Sequence, residues 1–202
     1  MGRPNYQRAP HSVVFISDVG RKVEPLFIAC SFIIGPGFAL SFIADNYLRL
    51  KGHLAGAEDR RERIFAALTI TCGIISAIAM IMMSFVDDHL RHWSLAFIFA
   101  ITVWASGIFS ALQFLYLYRH NPQCTSLLIS FVLKIVLMII SLCLVSTGLI
   151  FSTIDMSRAA TVEWCASLIF AFFLVTLIYD LLPARSCELI YVEILDKENE
   201  TI

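Results

Sequence analysis

Charge is what this 202-residue chain has least of. Asp, Glu, Lys and Arg make up 15% of it, against 58% hydrophobic residues. A soluble domain carries about a quarter charged residues. The deficit, with a mean hydropathy of +0.78, excludes a large soluble core and points to a lipid bilayer. An excess of one sign is missing too: the formal net charge is −1, and no basic stripe is interleaved with aromatics, so nothing points to nucleic acid. There is no Cys-x-x-Cys pair. Cys30, Cys72, Cys143 and Cys165 lie inside apolar runs, where a disulfide framework or a zinc site has no support. Cys124 and Cys187 lie just beyond span ends and read as free thiols or palmitoylation sites. Residues 1–24 contain Arg3, Arg8, Arg21 and Lys22 but no sustained apolar run, so no ordinary signal peptide is visible. A myristoylation signal is excluded by Tyr6, which stands where Ser or Thr is needed. Catalytic signatures are absent as well: no Gly-x-Ser-x-Gly, no His-Glu-x-x-His, no phosphate loop and no Asp-rich motif. No cofactor or metal is implied.

Present instead are apolar runs long enough to cross a membrane, which takes about 20 residues at 1.5 Å each. They fall at about 26–48, 64–86, 93–118, 126–150 and 159–182. The expectation is an all-α, polytopic transmembrane helical bundle with short antiparallel connections. A polar segment 1–25 precedes the bundle 26–183, and an acidic tail 184–202 follows it. Gly35-Pro36-Gly37 interrupts the first run, where a kink serves either helix packing or a hinge. Lys and Arg counts put the 1–2 loop (Arg49, Lys51, Arg60, Arg61, Arg63), the 3–4 loop (Arg119) and the mobile C-terminal tail in the cytosol. Residues 1–25 and the 2–3 and 4–5 loops then face the lumen or exterior. Trp93 and Trp164 fall at the outer interface, and Tyr47, Tyr116, Tyr118 and Tyr179 at the inner one.

Lys134 is the sharpest intramembrane feature. A charge at its depth costs a few kcal/mol unless it snorkels or finds a partner. Asp45 and Asp180, near the cytosolic ends of their spans, are within reach of a lysine stem. Lys134 is therefore either a structural residue tied to one aspartate or a binder of an ion or lipid headgroup. Glu163 lies at the opposite end, with Arg158, His89, His92 or Arg21-Lys22 as expected company. His89 and His92 flank Arg91 after Asp87-Asp88. With no third ligand specified, a solvated polar loop fits them better than a metal site, and a pH-sensing loop is the other reading. Arg60, Arg61 and Arg63 either set topology or meet anionic lipid headgroups.

Ile16-Ser17-Asp18-Val19-Gly20, followed by Glu24-Pro25 and a hydrophobic helix, resembles the damage-regulated autophagy modulator (DRAM/FRAG/SFK) family, in which such a stretch lies in the luminal loop before the second helix. His89, eight residues before Phe97, Lys134, and the pair Glu163-Trp164 also resemble that family, over roughly residues 15–183. His-Leu-Arg-His-Trp at 89–93 lacks the small residues usual after the family's histidine, which leaves the choice between His89 and His92 open. Family members have six helices and cytosolic termini. The expectation here is five helices, with the one before Phe15 missing, and a protein partner filling its place.

The resemblance implies a non-enzymatic regulator of autophagic, lysosomal or phosphoinositide-lipid organisation. Its site would be a lysosomal, other endomembrane or plasma-membrane location, and its partners membrane lipids, anionic ones included. Two other classes stay open. A transporter or channel would use Lys134, Asp45, Asp180 and Glu163. A lipid-remodelling factor for glycosylphosphatidylinositol anchors would need Asp18, His89 or His92, and Glu163 to converge.

Overall fold

The computed structural model describes residues 13–54, 59–86 and 89–200, with side chains for all of these except 17, 18, 21, 89, 90 and 183–200. The order is α1 (Ile16–Lys22), α2 (Glu24–Leu50), α3 (Arg60–Phe85), α4 (His89–His120), α5 (Thr125–Ile154) and α6 (Met156–Glu200), with no strand among the described residues. Five segments are long and apolar enough to span a membrane: α2, α3, most of α4, α5, and Met156–Leu182 of α6. Four of the five helices begin and end outside their apolar windows. Backbone hydrogen bonding carries a helix past the point where its side chains turn polar, and local caps then stop it. Pro25 occupies the first turn of α2. Gly52, at φ 78°, turns the chain at the other end, where His53 N–H reaches Leu48 O at 2.9 Å. Asp59 caps α3 by accepting from Arg60 N–H at 2.6 Å.

The spanning helices form a closed ring. Each packs on the next in sequence, and α6 returns to α2 along the sparsest of the five seams. Phe38 bridges that seam, edge-on to Phe170 at 5.6 Å between ring centroids. One buried cluster joins Phe38, Phe42, Met138, Phe173 and Leu177; a second joins Phe114, Leu117 and Leu127 nearer the end where α4 gives way to α5. Many large apolar side chains, such as Ile33, Ile101 and Phe172, face outward. In lipid they have no reason to turn in, so close backbone approach and interhelical hydrogen bonds must hold the ring. At Gly35 an added Cβ would lie 3.2 Å from Ala77 O, and at Gly73 one would lie 2.9 Å from the Phe42 ring. α2 runs through Pro36 unbroken, and Gly35 is the point where it presses on α3. Trp104 Nε1 donates to Met138 O at 3.2 Å, tying α4 to α5.

Two segments differ from expectation. The polar head folds as the short helix α1, because it has something to dock on. The acidic stretch expected as a mobile tail continues α6 to Glu200.

Candidate functional site

Ser130 and Lys134 stand one turn apart on α5 and so share a face. Lys134 lies nine residues into the helix from Thr125, about 14 Å along its axis, and is 0% exposed. Its ammonium donates to Asp180 Oδ2 of α6, and the Ser130 hydroxyl donates to Oδ1 of the same carboxylate. One carboxylate thus fastens α5 to α6. Asp45, the other expected partner of Lys134, is already engaged. Arg49, one turn further along α2, donates to it through Nε and Nη2, both at 2.9 Å. That two-pronged geometry suits a guanidinium.

The ring of Phe114, from α4, joins the two ion pairs. Lys134 Nζ sits 3.5 Å from its centroid and the Arg49 guanidinium carbon 4.8 Å. Contacts of this kind contribute about 0.5–1 kcal/mol each at exposed sites and more where the site is dry. Beside the cluster, inside the ring, lies a small cavity bordered by Asp45, Thr69, Ser110, Gln113, Phe114 and Asp180.

At the opposite end, the head of the chain is clamped to α6. The backbone N–H of Ile16, in the first turn of α1, donates to Glu163 Oε2 at 3.1 Å. Trp164 Nε1 donates to Val14 O at 2.9 Å. Adjacent side chains thereby bind the two backbone groups that flank Phe15. Gly20 completes the dock: it is buried, and a Cβ there would lie 2.9 Å from the Phe27 ring. Arg158, expected beside Glu163, pairs instead with Asp155 at 3.2 Å.

The third region is the start of α3. Arg60, Arg61 and Arg63 are exposed there, while Glu62 between them is turned inward at 8% exposure. Asp59 also accepts from the Tyr116 hydroxyl, which ties this turn to α4. The Tyr116 hydrogen bond, with that from Arg60 N–H, holds the Asp59 carboxyl below its ordinary range.

The sequence candidates therefore separate into three groups. Lys134 and Asp180 meet directly, with Asp45 close by but paired to Arg49. Glu163 and Trp164 both hold the head of the chain, at Ile16 and Val14, while Gly20 of α1 packs on Phe27 of α2. The backbone of Ser17 and Asp18 lies in α1 and that of His89 opens α4, but their side chains fall outside the described residues. His92 is half-buried on the first turn of α4. Among the described residues, no group of three or more His, Cys, Asp or Glu is placed to hold a metal ion.

Sequence reasoning missed Arg49, read as a loop charge, and the bridging role of Phe114. The Asp45/Arg49 spacing of i, i+4 was a usable signal for the first. For Phe114 there was none, because ring placement depends on how α2, α4 and α5 pack.

A model of the Frag1/DRAM/Sfk1/Cwh43P N-terminal domain matches residues 3–184. Protein sfk1 of Schizosaccharomyces pombe is 28% identical over 178 residues, covering 85% of this chain and 53% of that protein. The chain thus spans about half the length of this relative. No solved structure matches it significantly.

Proposed function

This chain belongs to the Frag1/DRAM/Sfk1/Cwh43 family, and on that premise we propose that it is a non-enzymatic, multi-pass membrane regulator that gathers anionic lipid at one face of its bundle. The observation that carries this reading is the sorting of charge on the first turn of α3. Arg60, Arg61 and Arg63 point outward and Glu62 points in, so three cations against the exposed carboxylate of Asp59 meet the headgroup layer. Each such residue contributes about 1 kcal/mol of attraction to an anionic surface, so three give about 3 kcal/mol. Positive-inside counting assigns this face to the cytosol, where phosphoinositides are exposed. The membrane is then lysosomal, other endomembrane or plasma membrane, and the cellular role is organisation of phosphoinositides or of autophagic membranes. A protein or helix partner would lie along α2 and α6, whose seam is the sparsest.

The test is lipid retention. The wild type and an Arg60→Gln, Arg61→Gln, Arg63→Gln variant are reconstituted in nanodiscs containing phosphatidylinositol 4-phosphate and compared by native mass spectrometry. The wild type should retain the anionic lipid at least tenfold better. Equal retention by folded variant and wild type would remove the lipid-gathering role.

A further inference from the structure

The cavity inside the ring is bordered by side chains from α2 (Ser41, Asp45), α3 (Thr69), α4 (Gln113) and α6 (Asp180). Two polar atoms on its wall, Thr69 Oγ1 and Gln113 Nε2, are buried and have no hydrogen-bond partner among the described residues. Each residue is only 3% exposed. Leaving a buried polar group unpaired forfeits its hydration without replacement. Two such groups around one cavity therefore call for something between them. The space holds about one water molecule.

The donor and acceptor balance selects the occupant. Gln113 Nε2 can only donate, so the ligand must accept. Asp45 and Asp180 can only accept while ionised, so toward them it must donate. Thr69 can do either. A monatomic cation cannot accept the glutamine N–H, and it would meet two carboxylates already matched by Arg49 and Lys134. A monatomic anion has no proton to donate to a carboxylate, and an oxyanion is too large for a space of one water. A neutral molecule that both donates and accepts, of the size of one water, satisfies every wall group.

We infer that this cavity is a binding site for a single long-lived water, which accepts from Gln113 Nε2, bonds Thr69 Oγ1 and donates to Asp45 and Asp180. Such a water links α2, α3, α4 and α6 through one point. Within the cluster, Arg49 bonds Asp45 inside α2, and Lys134 and Ser130 of α5 bond Asp180 of α6. The water adds a hydrogen-bonded link between these two polar groups, and the hydroxyl of Thr69 and the amide of Gln113 line the cavity that holds it.

Glutamine-selective ¹⁵N labelling of the full chain in nanodiscs gives three side-chain amides, from Gln7, Gln113 and Gln123, and Gln113→Leu identifies the relevant pair. The Gln113 amide protons should show a water cross-peak of Overhauser, not exchange, sign. The peak should be lost in Thr69→Val, which keeps the side-chain shape, and kept in Thr69→Ser, which keeps the hydroxyl. Replacing sodium with choline should leave the Gln113 resonances in place. A wild-type amide without a water cross-peak would make the cavity dry. A peak unchanged in Thr69→Val would detach the water from that residue, and a sodium-dependent shift would give the site to a cation. Any of the three overturns the assignment.

Discussion

Glu163 Oε2 accepts the backbone N–H of Ile16 at 3.1 Å, across 147 positions of sequence. Its neighbour Trp164 binds Val14 O in the same stretch. The chain's head and its last helix are thus held together by two side chains adjacent in sequence.

Removing the carboxylate should free α1 without unfolding the ring, because the bond lies at one end of the ring, away from the Lys134 cluster. A hydrogen bond to a charged group contributes about 1.5–3 kcal/mol. Glu163→Ala should therefore speed hydrogen exchange at Ile16 at least tenfold while leaving amides in the centre of α3 unchanged. Trp164→Phe, which keeps a ring but loses the indole N–H, should have a smaller effect, about 1 kcal/mol. Unchanged exchange at Ile16 in Glu163→Ala would mean that the clamp does not hold the head.

Lys134 and Asp180 should behave as a unit. Lys134→Met alone leaves Asp180 buried with its charge unmatched, and Asp180→Leu alone strands the ammonium. Either should destabilise the bundle by about 3–5 kcal/mol. The double variant removes both charges and should recover most of that loss. Thermal unfolding of the four proteins in detergent measures the coupling, and additive single effects would show that the pair is not the stabilising contact.

Phe114 offers a control on the same cluster. Phe42 is also a buried aromatic, at 5% exposure against 3% for Phe114, but among the described residues no cation lies over its ring, and it packs in the apolar core. Phe114→Leu should cost about 1–2 kcal/mol more than Phe42→Leu, the difference being the lost cation–π contacts. In a Lys134→Met, Asp180→Leu background that excess should shrink, as double-mutant denaturation can establish.

Acid should loosen the turn at Asp59. The folded-state carboxyl lies below its ordinary value, held down by Tyr116 and the Arg60 N–H. A depressed folded pKa contributes stability that is fully present above the unfolded value, about 3.9. That contribution is lost as pH falls through the folded value. Wild type and Tyr116→Phe should therefore differ by a constant amount at neutral pH and converge below about pH 4. Melting curves across that range decide it; a gap that widens on acidification would contradict the assigned tie.

The spans were legible in sequence because hydrophobic length alone specifies a membrane helix. The predicted window 126–150 and the observed Thr125–Ile154 differ only where capping, not hydropathy, sets the end. The family-like residues were legible as separate motifs. That Ile16 would meet Glu163 was not, since backbone donors carry no sequence signal. The partner of Lys134 was narrowed to two aspartates, and deciding between them needed Arg49, whose burial follows from how α2 turns against Phe114 of α4. Thr69 and Gln113 gave no signal at all, because an unpaired buried group is defined only by what surrounds it.

The buried cluster comprises two carboxylates, on Asp45 and Asp180, and two cations, on Arg49 and Lys134. A single elementary charge carried across a 100 mV membrane potential changes energy by about 2.3 kcal/mol. Ionised as two matched pairs, this cluster sums to zero, so the potential does no net work on it when the helices shift together. The cluster itself is therefore electrically indifferent to the voltage of the membrane that holds it. Lys134→Met would end that indifference and give the field one uncompensated charge to pull on.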